Sequence, residues 1–140
     1  MITLHIKKDI EDEVIPNLGV SNVLVFDEED PLFESENYHI ALYSSGGERA
    51  SGRDSSSQNF DIEVRGKQTA TSKHITEKIA EYLQDTYSGL CILPTTTESK
   101  RIYRNCRVMN IGNISNLGVD AENKTVFRIS ATIFYNKENN

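Results

Sequence analysis

Gln58-Asn59-Phe60-Asp61-Ile62-Glu63-Val64-Arg65-Gly66-Lys67-Gln68-Thr69-Ala70-Thr71-Ser72-Lys73-His74-Ile75-Thr76-Glu77-Lys78-Ile79-Ala80-Glu81-Tyr82-Leu83 is the stretch that decides the fold. Its apolar period changes within a few residues. Phe60, Ile62 and Val64 alternate with Asp61 and Glu63, which predicts a strand buried on one face. Arg65-Gly66-Lys67 ends it. From Thr69 to Tyr87 the spacing turns helical, with Ala70, His74, Ile75, Lys78, Ile79, Tyr82 and Leu83 on the expected buried side. Thr71 or Ser72 can cap this helix, and Ser88-Gly89 stops it.

Downstream, Leu90 to Leu93 is a brief apolar run closed by Pro94, and Thr95 to Ser99 a polar turn. Arg101 to Ile111 predicts a strand, Gly112 to Gly118 a loop or bulge, and Asp120 to Lys124 a hairpin turn. Thr125 to Tyr135 is the last strand, pairing antiparallel with the one before it. The tail from Asn136 to Asn140 is polar and expected to fray. Upstream, Leu4, Ile6, Ile10, Val14 and Ile15 form a helical stripe between Met1 and Leu18, stopped by Pro16 and Gly19. Val20 to Phe26 suits a strand, the acidic Asp27 to Glu36 a loop, and Tyr38 to Tyr43 a second strand. Ser44 to Asn59 is almost free of apolar residues. Such a segment buries too little to offset its ordering entropy, so a long flexible polar loop is expected there. The predicted fold is α+β, a mixed, mainly antiparallel sheet flanked by two helices, in a single domain over residues 1–140.

The chain has 140 residues and a formal net charge of −6, with 37% hydrophobic residues and no Trp. This length suits one domain that buries roughly two-thirds of its unfolded surface. An acidic balance opposes non-specific binding to phosphate backbones. The acids cluster, at Asp9, Glu11, Asp12 and Glu13 and again from Asp27 to Glu36. Charge runs of this kind are usually solvated, though they also suit a basic neighbour. The N-terminus lacks the pattern of a signal peptide and no apolar run could span a bilayer, so synthesis in the cytoplasm and no membrane partner are expected. In that setting Cys91 and Cys106 read as buried thiols, although a disulfide between them is open.

No pattern for catalysis stands out. His5, His39 and His74 are scattered, outside any HxH, HExxH or His-Cys cluster, so each reads as surface or half-buried and no metal is expected. Gly46-Gly47 is no phosphate cradle, and Ser55 to Ser57 has no nucleophile elbow around it. Exposed carboxylates lack the raised pKa that general-acid work needs. The sequence therefore reads as a non-enzyme without cofactors. Basic residues gather at Lys100, Arg101, Arg104 and Arg107. Unbroken alternation would place Arg101 and Arg107 on the face of Tyr103, and Arg104 with Ile102 and Cys106. A basic patch there could register an interface with an acidic neighbour.

The run Gln58 to Gly66, the helix carrying Ile75, Ile79, Ala80, Tyr82 and Leu83, then Arg101-Ile102-Tyr103-Arg104 and Val126-Phe127-Arg128-Ile129-Ser130-Ala131, together resemble the small tail-terminator and minor-capsid (head–tail joining) proteins of long-tailed bacteriophages. The resemblance covers about Gln58 to Tyr135. It implies a virion structural protein, assembled in the host cytoplasm and placed at the head–tail interface. It implies a hexameric ring of this chain that caps the tail tube, contacts the tail tube protein and the head completion or connector protein, and reads no nucleic-acid sequence while DNA passes through. In such rings a flexible loop faces the channel or the next ring. Gly46, Gly47, Glu48, Arg49, Arg53 and Asp54 are the candidate assembly loop, and Arg65, Lys67, Arg101 and Arg104 the candidate interface residues. A non-catalytic cytoplasmic adaptor is the alternative reading.

Overall fold

The computed structural model describes residues 2–29, 36–49, 55–99 and 101–138. The chain begins with helix α1 (Ile2–Asp9), which runs on through a π turn (Ile10–Val14) and a 3-10 turn (Ile15–Asn17). Strands β1 (Val23–Asp27), β2 (Tyr38–Arg49) and β3 (Ser55–Gly66) come next, then helix α2 (Thr69–Thr86). Strands β4 (Ile102–Ile111), β5 (Ser115–Val119) and β6 (Thr125–Glu138) follow. The strands form one sheet in the order β1-β2-β3-β6-β4, with β5 also on β6. Among the described residues only β1 and β2 pair in parallel; the other pairs are antiparallel. The mixed, mainly antiparallel α+β architecture expected from the sequence is the one observed.

Both helices bury a stripe against one sheet face, where Ile40, Leu42, Phe60, Ile62, Val64, Ile129 and Ile133 are fully buried. The stripe of the first helix is Ile2, Ile6, Ile10, Val14 and Leu18, a strict four-residue spacing. On an α-helix such a spacing drifts by about 40° per step, because each residue turns ~100°. The wider π turn takes up that drift and keeps the stripe on the sheet. Leu4 and Ile15, expected in the stripe, are only half-buried. On α2 the buried residues are Ser72, Ile75, Thr76, Ile79 and Leu83. Ala70, His74 and Lys78, expected on that side, are exposed, and Gln68 rather than Thr71 or Ser72 occupies the cap position. Thr76 is kept inside by its hydroxyl, which donates to the Ser72 carbonyl at 2.7 Å.

Further expectations need correction. The polar stretch 44–59 is not one loop: Ser44 to Arg49 continues β2 and Ser55 to Asn59 opens β3, so that only 50–54 lie between them. Backbone pairing holds these residues instead of apolar burial, since Ser55 to Asn59 also face Asn136 to Thr132 of β6. The region 112–118 contains strand β5, and β6 runs to Glu138 rather than ending at Tyr135. Finally, His5 and His39 are fully enclosed, at 0% and 1% exposure, not surface residues. His5 sits between Pro94, Ser99 and the edge of the Tyr103 ring.

Candidate assembly surface

Strand parity places the functional side chains. On β3, Phe60, Ile62 and Val64 point to the helices, so Asn59, Asp61, Glu63 and Arg65 point to the opposite face. Each meets a polar partner, the first three on β6 and Arg65 in the turn that precedes it. Thr132 Oγ1 donates to Asn59 Oδ1 at 2.6 Å, and Ser130 Oγ to Asp61 Oδ1 at 2.6 Å. Arg128 donates to Glu63 Oε2 through Nη2 at 2.7 Å and Nε at 3.1 Å. Arg65 reaches Asp120 at 2.7 Å and Glu63 at 3.6 Å. The result is a polar ladder along the helix-free face, in which like charges are separated by opposite ones. The Glu63 hydrogen bond holds the Arg128 guanidinium above its ordinary pKa.

This face changes character across the sheet. Near β1 it carries Leu24, at 40% exposure, and Phe26, whose ring meets His39 edge-on at 5.4 Å. At the β4 side it becomes basic. Arg104 and Arg107 lie opposite Asn136 and Phe134, three intervals of β4 matching two of β6. Asn105 is the extra residue and has φ +53°. This bulge overturns the simple alternation expected of the strand: Tyr103 and Cys106 share the buried face, while Arg104 and Arg107 share the outer one. The Arg107 guanidinium lies 5.6 Å from the Phe134 ring centroid.

The candidate residues do not form one site. Gly46, Gly47, Glu48 and Arg49 sit opposite Asn59, Gln58, Ser57 and Ser56 in a paired hairpin arm. Arg53 and Asp54 lie outside the described residues. Arg65 is held in its ion pair with Asp120 at one end of the sheet, and exposed Lys67 pairs nearby with Glu36. Arg104 lies at the other end, beside the arm, through Asn136 and its partner Ser55. Along β6, Arg65 stands opposite Val126 and Arg104 opposite Asn136, ten positions apart, or roughly 33 Å at the rise of a strand. Arg101 precedes β4 and is exposed.

Sequence reasoning missed several exposed apolar side chains: Leu90 (68%), Ile92 (61%), Leu117 (46%) and Val119 (63%). Cys91 and Leu93, which lie between and after the first two, pair with β4 through Cys106 and Tyr103. Alternation therefore turns Leu90 and Ile92 outward, a signal present in the short run Leu90 to Leu93. All of β5 is exposed, with Gly118 at φ +89° where its pairing to β6 shifts register.

The acidic segments prove partly structural. Glu28 Oε1 accepts the Ser44 amide at 2.9 Å, the Ser44 hydroxyl at 2.5 Å and the Thr3 hydroxyl at 3.3 Å. It thus fixes the bulge of β2 against α1. The Asp9 carboxylate accepts the phenols of Tyr82, at 3.0 Å, and Tyr87, joining the ends of the two helices. Burial, aided by Asp9, pushes the Tyr82 phenol up to about 12 and Tyr87 further. Burial likewise pushes the Cys91 thiol up to about 11 and Cys106 to about 12. These groups keep their protons at neutral pH, so the cluster is a proton-holding clamp rather than a set of poised nucleophiles. Among the described residues, no group of His, Cys, Asp and Glu could hold a metal ion. No described helix is long and apolar enough to cross a membrane.

No family model matches the chain, and no curated protein matches its sequence. Its fold is similar to that of a chain in a solved structure titled "Virion of native gene transfer agent (GTA) particle". The two are 14% identical, with a TM-score of 0.56, over 96% of this chain and 92% of the other. The likeness is one of fold and extends over nearly the whole of both chains.

Proposed function

We propose that this protein is a virion structural protein, a tail terminator whose copies close into a ring on the end of the tail tube and join it to the head connector. The observation that carries this reading is the fold likeness to a virion chain over 96% of the present one. The surface supports it as well. A helix-free face that grades from apolar residues at β1 to Arg104 and Arg107 at β4 suits head-to-tail association, where unlike edges meet and a ring closes. Complementary charge would set the register of such contacts more than their strength. The arm formed by β2 and β3 suits contact with a neighbouring ring, and the acidic balance leaves DNA free to slide past.

Light scattering on size-fractionated protein, alone and with tail tubes, tests the reading. A ring, or monomers that become tube-bound rings, is the expected result. A chain that remains monomeric and unbound with tube ends present would overturn it. Removing residues 50–54, between the paired strands β2 and β3, separates the terminator from a cytoplasmic adaptor: the terminator loses ring or tube binding, whereas an adaptor keeps its oligomeric state.

A further inference from the structure

Cys91 and Cys106 stand directly opposite each other. They exchange both backbone hydrogen bonds, Cys91 N–H to the Cys106 carbonyl at 3.0 Å and the reverse at 2.8 Å. Opposed residues of this kind present their side chains to the same face, with Cα atoms about 5.5 Å apart, inside the ~4.4–6.8 Å that a disulfide bridges. The Cys91 thiol already leans across the pair, donating to the Cys106 carbonyl at 3.3 Å. Both thiols are free. Cys106 is buried, whereas Cys91 is half-exposed and so is the one an incoming reagent meets.

We propose that this pair is a site of oxidative modification, closing into a reversible disulfide between Cys91 and Cys106. The oxidant is a small-molecule disulfide. The Cys91 thiolate attacks one of its sulfurs, forming a mixed disulfide and releasing one small thiol. The Cys106 thiolate then attacks Cys91 Sγ, releasing the second small thiol. Two protein thiols are oxidised, one small disulfide is reduced, and the protons remain with the released thiols. The bond is reversible for a geometric reason. Hydrogen-bonded partners hold their Cβ atoms wider apart than a relaxed disulfide, so closure strains the pair and keeps it reducible. Cys91 belongs to an isolated bridge outside any regular strand, which lets its backbone move inward. Burial, with Asp9 and Tyr87 close to Cys91, disfavours both thiolates and makes the exchange slow in neutral solution. Closure in a particle that has left a reducing cell rests on the virion reading; the chemistry of the pair does not.

The test uses the full chain, incubated with oxidised glutathione, then unfolded and alkylated. Expected are a mass lower by two hydrogens, no alkylation at either cysteine, a cross-linked peptide pair, and reversal by dithiothreitol. Cys106→Ser is expected to stall with glutathione attached to Cys91. Two alkylated thiols after prolonged oxidation, glutathione retained on Cys91 of the unaltered chain, or a disulfide-linked dimer would each overturn the proposal. None of these outcomes depends on ring formation, so the two readings fail separately.

Discussion

Nε2 of His5 lies 2.9 Å from the Ser99 hydroxyl oxygen, joining residues 94 positions apart in a buried contact. The other ring nitrogen, Nδ1, is 2.8 Å from the Pro94 carbonyl, which can only accept. Nδ1 therefore carries the hydrogen, and in the neutral ring Nε2 accepts from Ser99. One side chain of the first helix thus fixes the irregular segment between α2 and β4. His5→Ala removes two hydrogen bonds and leaves a void, at an expected cost of about 2–4 kcal/mol. Ser99→Ala should cost about 1 kcal/mol. Urea unfolding of both variants checks the ranking, and an equal loss in the two would contradict it.

Gly66 ends β3 against the Tyr38 ring. A Cβ on Gly66 would stand 2.0 and 2.3 Å from two carbons of that ring, which is itself buried. Gly66→Ala is expected to lower stability by about 1–3 kcal/mol through overpacking. Combining it with Tyr38→Ala should cost less than the sum of the single changes. Additive losses in thermal unfolding would show that the contact is not the cause.

Asn105 holds the β4 bulge at φ +53°. Asn105→Gly should leave stability nearly unchanged. Asn105→Val should cost about 1–2 kcal/mol, because a β-branched residue resists the left-handed region. Amide exchange at Cys106 and Val108 reports whether the bulge survives; protection unchanged in the valine variant would argue against this role.

Asp120 is the charged end of the outer ladder. Partial burial pushes its carboxyl up, but backbone hydrogen bonds from Lys124 and Glu122 and the Arg65 guanidinium outweigh this and hold it below the ordinary value. A folded pKa below the unfolded one gives stability that is fully present above the unfolded value and lost as pH falls through the folded one. Asp120→Asn keeps an acceptor for the two amides and removes the charge. The variant should be less stable at neutral pH and show a shallower loss of stability below about pH 4. Parallel pH profiles for the two proteins in urea titrations would exclude the effect.

Sequence by itself determined the elements that bury apolar side chains at a regular period. Phe60-Ile62-Val64, the stripe Ile75-Ile79-Leu83, and the first helix with Ile6, Ile10 and Val14 were legible because burial imposes a spacing that composition alone exposes. Tertiary structure decided what rests on backbone pairing and on single displaced residues. Ser44 to Asn59 has no apolar pattern, yet most of it is strand, since β6 supplies hydrogen-bond partners that local sequence does not reveal. The candidate surface depended on the same kind of information. One extra residue at Asn105 reversed the faces of Cys106 to Val108, bringing Arg107 onto the side of Arg104 and Cys106 onto the side of Tyr103, before a second shift between Val108 and Asn110 restored the first alternation. A period of two carries no memory of where a bulge falls, so only the register with β6 could assign those side chains to the outer face or the core.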